Sequence, residues 1–138
     1  MPSYKLSMSS CLYHCRDVVH MNTKQAIGYD DKNKYQICAV SNAWHFFFIN
    51  SNPQGKFMQN HIEINKNDWQ QMKYIRSFVL ISDIFCYSED EVYNGTSQYG
   101  SVTEECMKRV VKAALSSSVM EKWKKDLIRQ HLAEYMEP

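Results

Sequence analysis

The sequence of 138 residues is poor in glycine and proline, with four glycines and three prolines. The glycines form neither a GxGxxG pattern nor the lysine-containing loop that cradles phosphates in nucleotide-binding enzymes. No CxxC pair and no HExxH motif occurs either. These absences disfavour the familiar classes of nucleotide-cofactor enzyme and of zinc hydrolase.

Long apolar runs are also missing. No segment approaches the ~20 apolar residues that span a bilayer. The first residues lack an apolar stretch followed by a small-residue cleavage site. Five cysteines, an odd number without regular spacing, favour free thiols in a reducing compartment. We therefore expect a cytoplasmic protein with no membrane partner.

Neither positive nor negative charge is in clear excess. Lysine and arginine number 16 and aspartate and glutamate 15, so the net charge is +1. A strongly basic nucleic-acid binder and an acidic mimic of nucleic acid are both disfavoured. Hydrophobic residues make up 44% and aromatic residues 13%, values typical of a folded chain. The length suits one domain, and we predict a single α+β domain over residues 1–138.

Three runs have the composition of β-strands. Residues 35–40 and 43–49 are rich in β-branched and aromatic residues, and residues 56–64, in which Phe57 is expected to face inward, follow a turn. We predict that the second and third runs pair as an antiparallel hairpin. Residues 46–49 are apolar at every position, which indicates a strand that is central or covered on both faces.

Helical spacing of apolar residues is found at residues 9–21 and 67–82. Two capping-box patterns predict C-terminal helices at 102–116 and 119–136, the second with Val119 and Trp123 on its buried face. Residues 83–101 have no clear period and are interpreted as a long surface loop, with a short strand at residues 84–87 as an alternative. The predicted fold is a small antiparallel sheet of two to four strands covered by helices, with two C-terminal helices.

A cluster of potential metal ligands lies near the N-terminus. On a helix, Cys11, His14 and Cys15 would share one face. With a fourth ligand they would form a zinc site, and the candidates for that ligand are Cys38, His20 and His61. The simpler interpretation makes Cys15 a small core residue, because no second ligand pair occurs at the usual spacing. We therefore predict neither a metal nor another cofactor.

A cysteine nucleophile is the second possibility for chemistry. Cys38 with His45 or His61, on neighbouring predicted strands, is the pair that the pattern favours most. Buried free cysteines are far more common than catalytic ones. We assign no catalytic residue and lean towards a protein that is not an enzyme, and a small Cys/His-dependent enzyme or a nuclease stays an alternative.

The charges are unevenly distributed along the chain. Residues 83–107 carry six acidic residues and no basic one, whereas the predicted C-terminal helices are rich in lysine and arginine. A basic helical face is typical of contact with nucleic acid or with an acidic protein surface. Pairs such as Glu121 with Lys125 also fit an ordinary solvated helix. A nucleic-acid-binding module that uses Lys122, Lys124, Lys125 and Arg129 is therefore a further alternative.

Three tyrosines lie in the acidic segment, where little core is expected. Tyrosines on irregular loops are common in protein interfaces, because they supply contact area at low entropic cost. The leading hypothesis is thus a small protein-binding module that acts by surface contact, such as an inhibitor or an immunity-type or anti-defence factor of the kind that viruses and mobile elements encode. The predicted partner-binding residues are Tyr87, Glu89, Asp90, Glu91, Tyr93, Tyr99, Lys122, Lys124, Lys125 and Arg129.

Overall fold

The computed structural model describes residues 13–24, 32–95 and 97–137. Within them, seven strands form one antiparallel sheet. The strands are β1 Asp17–Asn22, β2 Asn33–Val40, β3 His45–Asn50, β4 His61–Ile64, β5 Ser77–Leu80, β6 Phe85–Cys86 and β7 Ser97–Ser101. The helices are α1 Glu89–Gly95, α2 Glu104–Ser116 and α3 Lys122–His131, and short 3-10 turns occupy Ser41–Ala43, Gly55–Asn60 and Ala133–Tyr135.

The order of strands in the sheet is β4-β5-β3-β2-β1-β7, and β6 pairs with the start of β3 on the edge that β5 also uses. The predicted sheet of two to four strands is therefore wrong in size, although the mixed class with a single sheet holds. The strands that were not predicted are β1, β5 and β7, and β7 reads Ser-Gln-Tyr-Gly-Ser without an apolar alternation. The two-residue β6 lies within the short strand that residues 84–87 allowed.

The segment 83–101, predicted as a surface loop, contains β6, α1 and β7. β7 pairs with β1 through the backbone, with Asp17 opposite Ser101 and His20 opposite Ser97. Backbone pairing at a sheet edge needs no buried apolar face, which is why composition did not indicate this strand.

Residues 17–22, predicted as the end of a helix, form β1 instead. Val18 and Val19 are both fully buried, and they belong to the cores on opposite faces of the sheet. A strand that is buried on both faces does not alternate between apolar and polar residues. The apolar residues of β1 therefore also fitted the spacing of a helix, and the helix was predicted in error. The start of the predicted helix, residues 9–12, lies outside the described residues.

The predicted helix at 67–82 is also wrong, because turns occupy residues 66–75 and β5 follows. Trp69 and Met72 are buried, as the predicted helix also placed them. The backbone here forms a turn instead, in which the Asp68 carboxylate accepts a hydrogen bond from the Asn65 backbone N–H at 2.9 Å. Gly100 in β7 has a φ of +76°, and a Cβ there would overlap the side chain of Gln71 in this segment.

The predicted hairpin between residues 43–49 and 56–64 does not form, because β5 lies between β3 and β4. Val79 of β5 is opposite Ile49 on one side and Ile62 on the other. Residues 46–49 were predicted to form a strand that is central or covered by another layer, and this prediction is confirmed. β3 has neighbours on both edges, and its residues are buried on both faces.

Two helices do occupy the C-terminal third, beginning at Glu104 and Lys122. The Thr103 side chain caps α2 by accepting a hydrogen bond from the Cys106 backbone at 3.1 Å. α2 and α3 cover one face of the sheet, and their buried residues pack with Val18, Ile37, Phe47 and Val79.

The opposite face of the sheet has its own core, formed mainly by Val19, Met21, Phe46 and Phe48, and Val92 of α1 packs on it. No helix among the described residues is long and apolar enough to cross a membrane.

Candidate functional site

The predicted partner-binding residues do not form one surface. The acidic residues Glu89, Asp90 and Glu91 open α1, which packs through Val92 on one face of the sheet. The basic residues lie on α3, which packs through Ile128 on the opposite face. The sheet thus separates the acidic set from the basic set.

The tyrosines of the acidic segment lie in different surroundings. Tyr87 is 3% exposed, and its hydroxyl donates to the Gln36 side-chain oxygen at 2.7 Å. Burial raises the pKa of Tyr87, so the phenol stays protonated. Tyr99 is half-buried and meets Tyr35 edge to face, with ring centres 5.2 Å apart. The side chain of Tyr93 lies outside the described part of the structure.

Three of the four predicted basic contacts are held by acidic side chains of the protein itself. Lys122 and Arg129 each lie 2.9 Å from the carboxylate of Asp126. Lys124 is largely buried and pairs with Asp83. These pairs reduce the positive charge that α3 presents, which disfavours the nucleic-acid alternative.

The predicted Cys/His pairs are not brought together. Cys38 is opposite Phe46 and packs in the core on the α1 side, whereas His45 lies at the next position of β3 and therefore faces the α3 side. His61 is on β4, separated from β2 by two strands.

The predicted metal ligands are only partly within the described residues, since Cys11 lies outside them. The His14 side chain is 82% exposed, whereas Cys15 is half-buried and hydrogen-bonded to Tyr135. Burial raises the pKa of the Cys15 thiol to about 11, so the thiol is protonated near pH 7. Among the described residues, no group of three His, Cys, Asp or Glu could hold a metal ion.

A different Cys/His pair is present that the sequence patterns did not indicate. His45 and Cys86 lie directly opposite each other on β3 and β6. The His45 Nδ1 donates to the Ala43 carbonyl oxygen at 2.7 Å, and the Cys86 thiol donates to the same oxygen at 3.7 Å. The Nε2 of His45 is buried without a partner in the described structure.

The protonation of this pair does not favour a nucleophile. Burial lowers the pKa of His45, so the imidazole is neutral near pH 7. Burial raises the pKa of Cys86, so its thiol stays protonated although Lys124 acts in the opposite direction. Reactive thiols have lowered pKa values. This pair therefore does not supply the activated thiol that a Cys/His-dependent enzyme would need.

A groove among the described residues has a volume of about 500 Å³, and we call it the Phe48 groove. It lies where β5 and β6 pair with different ends of β3, so that the chain between them leaves the sheet edge. Its floor consists of Phe48, Leu80 and Phe85, and the rings of Phe48 and Phe85 stack with centres 3.8 Å apart.

Two exposed apolar side chains stand on the rim of the Phe48 groove. Phe57 is 48% exposed and Val119 is 61% exposed. The sequence patterns had placed both in the core, and had placed Trp123, which is 54% exposed, there as well. They were wrong because a 3-10 turn replaces the predicted strand at Phe57 and because α3 begins only at Lys122.

The two walls of the Phe48 groove differ in charge. Lys32 and Lys34 line one side, and Asp83 and Glu121 line the other. Lys124 lies between the two carboxylates, paired with Asp83 and 3.7 Å from Glu121.

A chain of hydrogen bonds positions the lysine wall. Lys34 Nζ donates to Asn50 Oδ1 at 2.7 Å, and Asn50 Nδ2 donates to His61 Nε2 at 2.9 Å. His61 Nδ1 donates to the Phe57 carbonyl oxygen at 2.9 Å. Burial lowers the pKa of His61, an effect that Lys34 reinforces and the bond to Phe57 opposes. The neutral imidazole therefore connects the lysine wall to the rim.

A scan against protein-family models and a search of curated proteins each found no match to this chain.

Proposed function

We propose that this protein is a non-catalytic protein-binding domain, and that the Phe48 groove receives a large apolar side chain from an extended segment of a partner protein. The observation that carries the proposal is the groove itself, with an aromatic floor and with Phe57 and Val119 exposed on its rim. Five apolar residues line the groove beside six polar or charged ones, and concave sites that combine apolar surface with polar groups are typical binding sites.

The expected energetics support an apolar anchor. Burying a side chain such as Leu or Phe contributes about 1.5–3 kcal/mol. Each 1.4 kcal/mol is about tenfold in affinity, so one anchor contributes roughly a tenfold to hundredfold gain. Aromatic anchors that fill pockets dominate many protein interfaces. Phe57 and Val119 add apolar area that a bound segment would remove from water.

The charged walls would orient the bound segment. An acidic residue of the partner suits the side of Lys32 and Lys34, whereas Asp83 and Glu121 on the other side already pair with Lys124. The acidic residues of α1, the basic residues of α3, and Tyr93 and Tyr99 stay predictions as further contacts. Tyr87 is left out of the proposed surface, because its ring is buried.

An inhibitory or anti-defence role is the finer form of this proposal. A single compact domain that occupies a partner's recognition segment blocks that segment without any chemical step. The inhibitory or anti-defence role comes from the leading hypothesis of the sequence analysis. It requires first that a partner protein binds at the Phe48 groove.

Selection from a phage-displayed library of linear peptides tests the proposal. We expect wild-type protein to enrich peptides that share one large apolar residue. Val119→Glu, on the rim, should raise the dissociation constant of the best peptide at least tenfold in fluorescence anisotropy. Ile75→Glu is the matched control, since Ile75 is 97% exposed and does not line the groove. It should change the constant less than twofold.

Both substituted residues are exposed to solvent, so neither substitution should change the melting temperature appreciably. Failure to enrich any peptide over the starting library would overturn the proposal. Equal affinity of the selected peptides for wild type and Val119→Glu would overturn it too, since binding would then lie elsewhere on the surface.

A further inference from the structure

The hydrogen-bond chain beside the Phe48 groove contains a group that titrates near neutral pH. The chain runs from the Lys34 ammonium through the Asn50 side chain and the His61 ring to the Phe57 carbonyl oxygen, with bonds of 2.7, 2.9 and 2.9 Å. Lys34, Asn50 and Phe57 line the groove, and His61 on β4 connects them. Histidine is the side chain whose charge changes most readily between pH 5 and 8.

The two ends of the chain determine the direction of every hydrogen bond in it. The Lys34 ammonium can only donate, so Asn50 Oδ1 faces it and Asn50 Nδ2 faces His61. The Phe57 carbonyl oxygen can only accept, so His61 Nδ1 carries the hydrogen. His61 Nε2 is therefore the acceptor for the Asn50 amide, and the chain is complete only when His61 is neutral.

A protonated His61 cannot be accommodated in this chain. A hydrogen on Nε2 would face the hydrogens of Asn50 Nδ2 across 2.9 Å. Rotating the Asn50 amide by half a turn gives His61 an acceptor, but Nδ2 then faces the Lys34 ammonium, where two donors meet instead. One of the two contacts of Asn50 must therefore break when His61 gains a proton.

The surroundings of the two contacts indicate that the one with Lys34 breaks. The His61 ring is held by the Phe57 carbonyl oxygen and meets the Phe57 ring edge to face, with centres 4.7 Å apart. Protonation preserves these contacts, because Nδ1 keeps its hydrogen. Lys34 is half-buried, and its strongly hydrated ammonium is carried on a flexible four-carbon chain. Moving this ammonium into water therefore requires less rearrangement than moving the imidazole.

The orientation of His61 limits the charged groups that act on it. Ile62 and Ile64 belong to the core on the α2 side, so His61 faces the other side of the sheet, as does Leu80 opposite it on β5. Burial and then Lys34 lower the pKa of His61, and the bond to Phe57 opposes them, so protonation occurs below pH 6.5. The described charged groups on the surrounding elements are Lys34, Lys56, Glu63 with its partner Arg76, and Asp83 and Glu121 on the far wall of the groove.

We propose that protonation of His61 breaks this chain, releases the Lys34 ammonium from Asn50 and lowers the affinity of the Phe48 groove for its partner segment. The inference rests on the proposed function of the groove. The affinity falls because Lys34 and Asn50 lose the contacts that fix their positions, so binding must order them again. The groove thus holds its partner more tightly above the midpoint of the His61 titration than below it.

The ratio of dissociation constants at two pH values tests the switch, with the best phage-selected peptide that lacks titratable side chains as the probe. Fluorescence anisotropy is measured at about pH 7.5 and about one unit below the His61 midpoint, where circular dichroism confirms a folded protein. We expect at least fivefold weaker binding to wild type at the lower pH. In His61→Gln, whose side chain does not titrate, the change should stay below twofold.

His20→Gln is the matched control. The pKa of His20 is also lowered by burial, but His20 lies on β1 and does not line the groove. This variant should therefore keep the wild-type ratio. Loss of the pH dependence in both variants would show a general effect of acid and overturn the switch.

NMR titration of the free protein tests the coupling without any peptide. In wild type, the shifts of Lys34 Cε and of the Asn50 side-chain amide should change with the midpoint of His61. Asn50→Asp offers an acceptor on both sides, so it satisfies Lys34 and a protonated His61 together. In that variant the His61 midpoint should lie above 6.5, and the Lys34 shift should no longer follow it.

The outcomes separate failure of the switch from failure of the groove. Equal affinity of wild type at the two pH values, or a Lys34 shift that does not follow His61, would overturn the switch and leave the groove function in place. If no peptide is selected at neutral pH, the groove function falls instead. The Lys34 and Asn50 titrations then confirm or overturn the coupling by themselves.

Discussion

Arg109 of α2 holds the Asp68 carboxylate with two hydrogen bonds, at 2.9 and 3.2 Å. Asp68 is 7% exposed, and its backbone carbonyl oxygen accepts a further bond from Thr103. The pair therefore ties the turn segment at residues 66–76 to the start of α2. The same segment supplies Trp69, whose ring meets that of Tyr35, and Lys73, whose ammonium lies over the ring of Tyr99.

Asp68→Asn should lower the free energy of unfolding by about 1–2 kcal/mol, because Arg109 loses a charged partner and remains half exposed to water. Urea denaturation followed by circular dichroism measures this difference. Glu63→Gln is the matched control, since its bonds to Arg76 lie at the exposed surface. It should cost much less, and an equal cost would mean that the Asp68 pair does not anchor the segment.

Tyr87→Phe should lower the free energy of unfolding by about 1–2 kcal/mol, because the oxygen of the fully buried Gln36 side chain loses its donor. The original interpretation of Tyr87 as a partner contact predicts no change in stability. Chemical denaturation of the two proteins distinguishes them. Tyr74→Phe serves for comparison, since Tyr74 is 54% exposed and should leave stability nearly unaltered.

Stability should fall as the pH is lowered below about 6.5. Burial lowers the pKa values of His20, His45 and His61 in the folded protein below their ordinary value of 6.5. The unfolded chain then binds more protons than the folded one, so unfolding is favoured as the pH falls from 6.5 through the folded pKa values. Above pH 6.5 this contribution is fully present and constant.

Histidine resonances in an NMR pH titration provide the direct measurement. The midpoints of the three histidines should lie below 6.5. His61→Asn should remove part of the acid sensitivity of the melting temperature, since only two shifted histidines would remain. A midpoint for His61 above 6.5 would mean that the hydrogen-bond chain from Lys34 to Phe57 holds a protonated ring.

Cys86 should be the first of the described cysteines to be alkylated, because it is exposed whereas Cys38 and Cys106 are buried and Cys15 is half-buried. Its raised pKa predicts slow reaction with iodoacetamide near pH 7, with a rate that rises about tenfold per pH unit until the thiol ionises. Mass spectrometry of the Cys11→Ser variant isolates the described thiols. Fast alkylation at neutral pH would contradict the neutral pair and would favour the Cys/His enzyme.

The sequence alone determined those elements of the fold whose formation depends on residues close to one another along the chain. The two C-terminal helices were predicted near their observed positions, because an apolar stripe is a property of residues within a few turns. The predicted capping boxes at Ser101 and Ser118 were wrong, since Thr103 caps α2 and α3 begins after Glu121 without a side-chain cap. The central place of β3 followed from residues 46–49, since a strand that is apolar at every position needs cover on both faces.

Pairing between distant segments decided the rest. β7 is polar and forms because β1, about 80 residues earlier, offers backbone groups to pair with. β5 lies between β3 and β4, which were predicted to pair because they follow each other in the sequence. β6 places Cys86 opposite His45. Side-chain periodicity reports which residues are buried, whereas the order of strands depends on long-range hydrogen bonds and packing that only the folded chain contains.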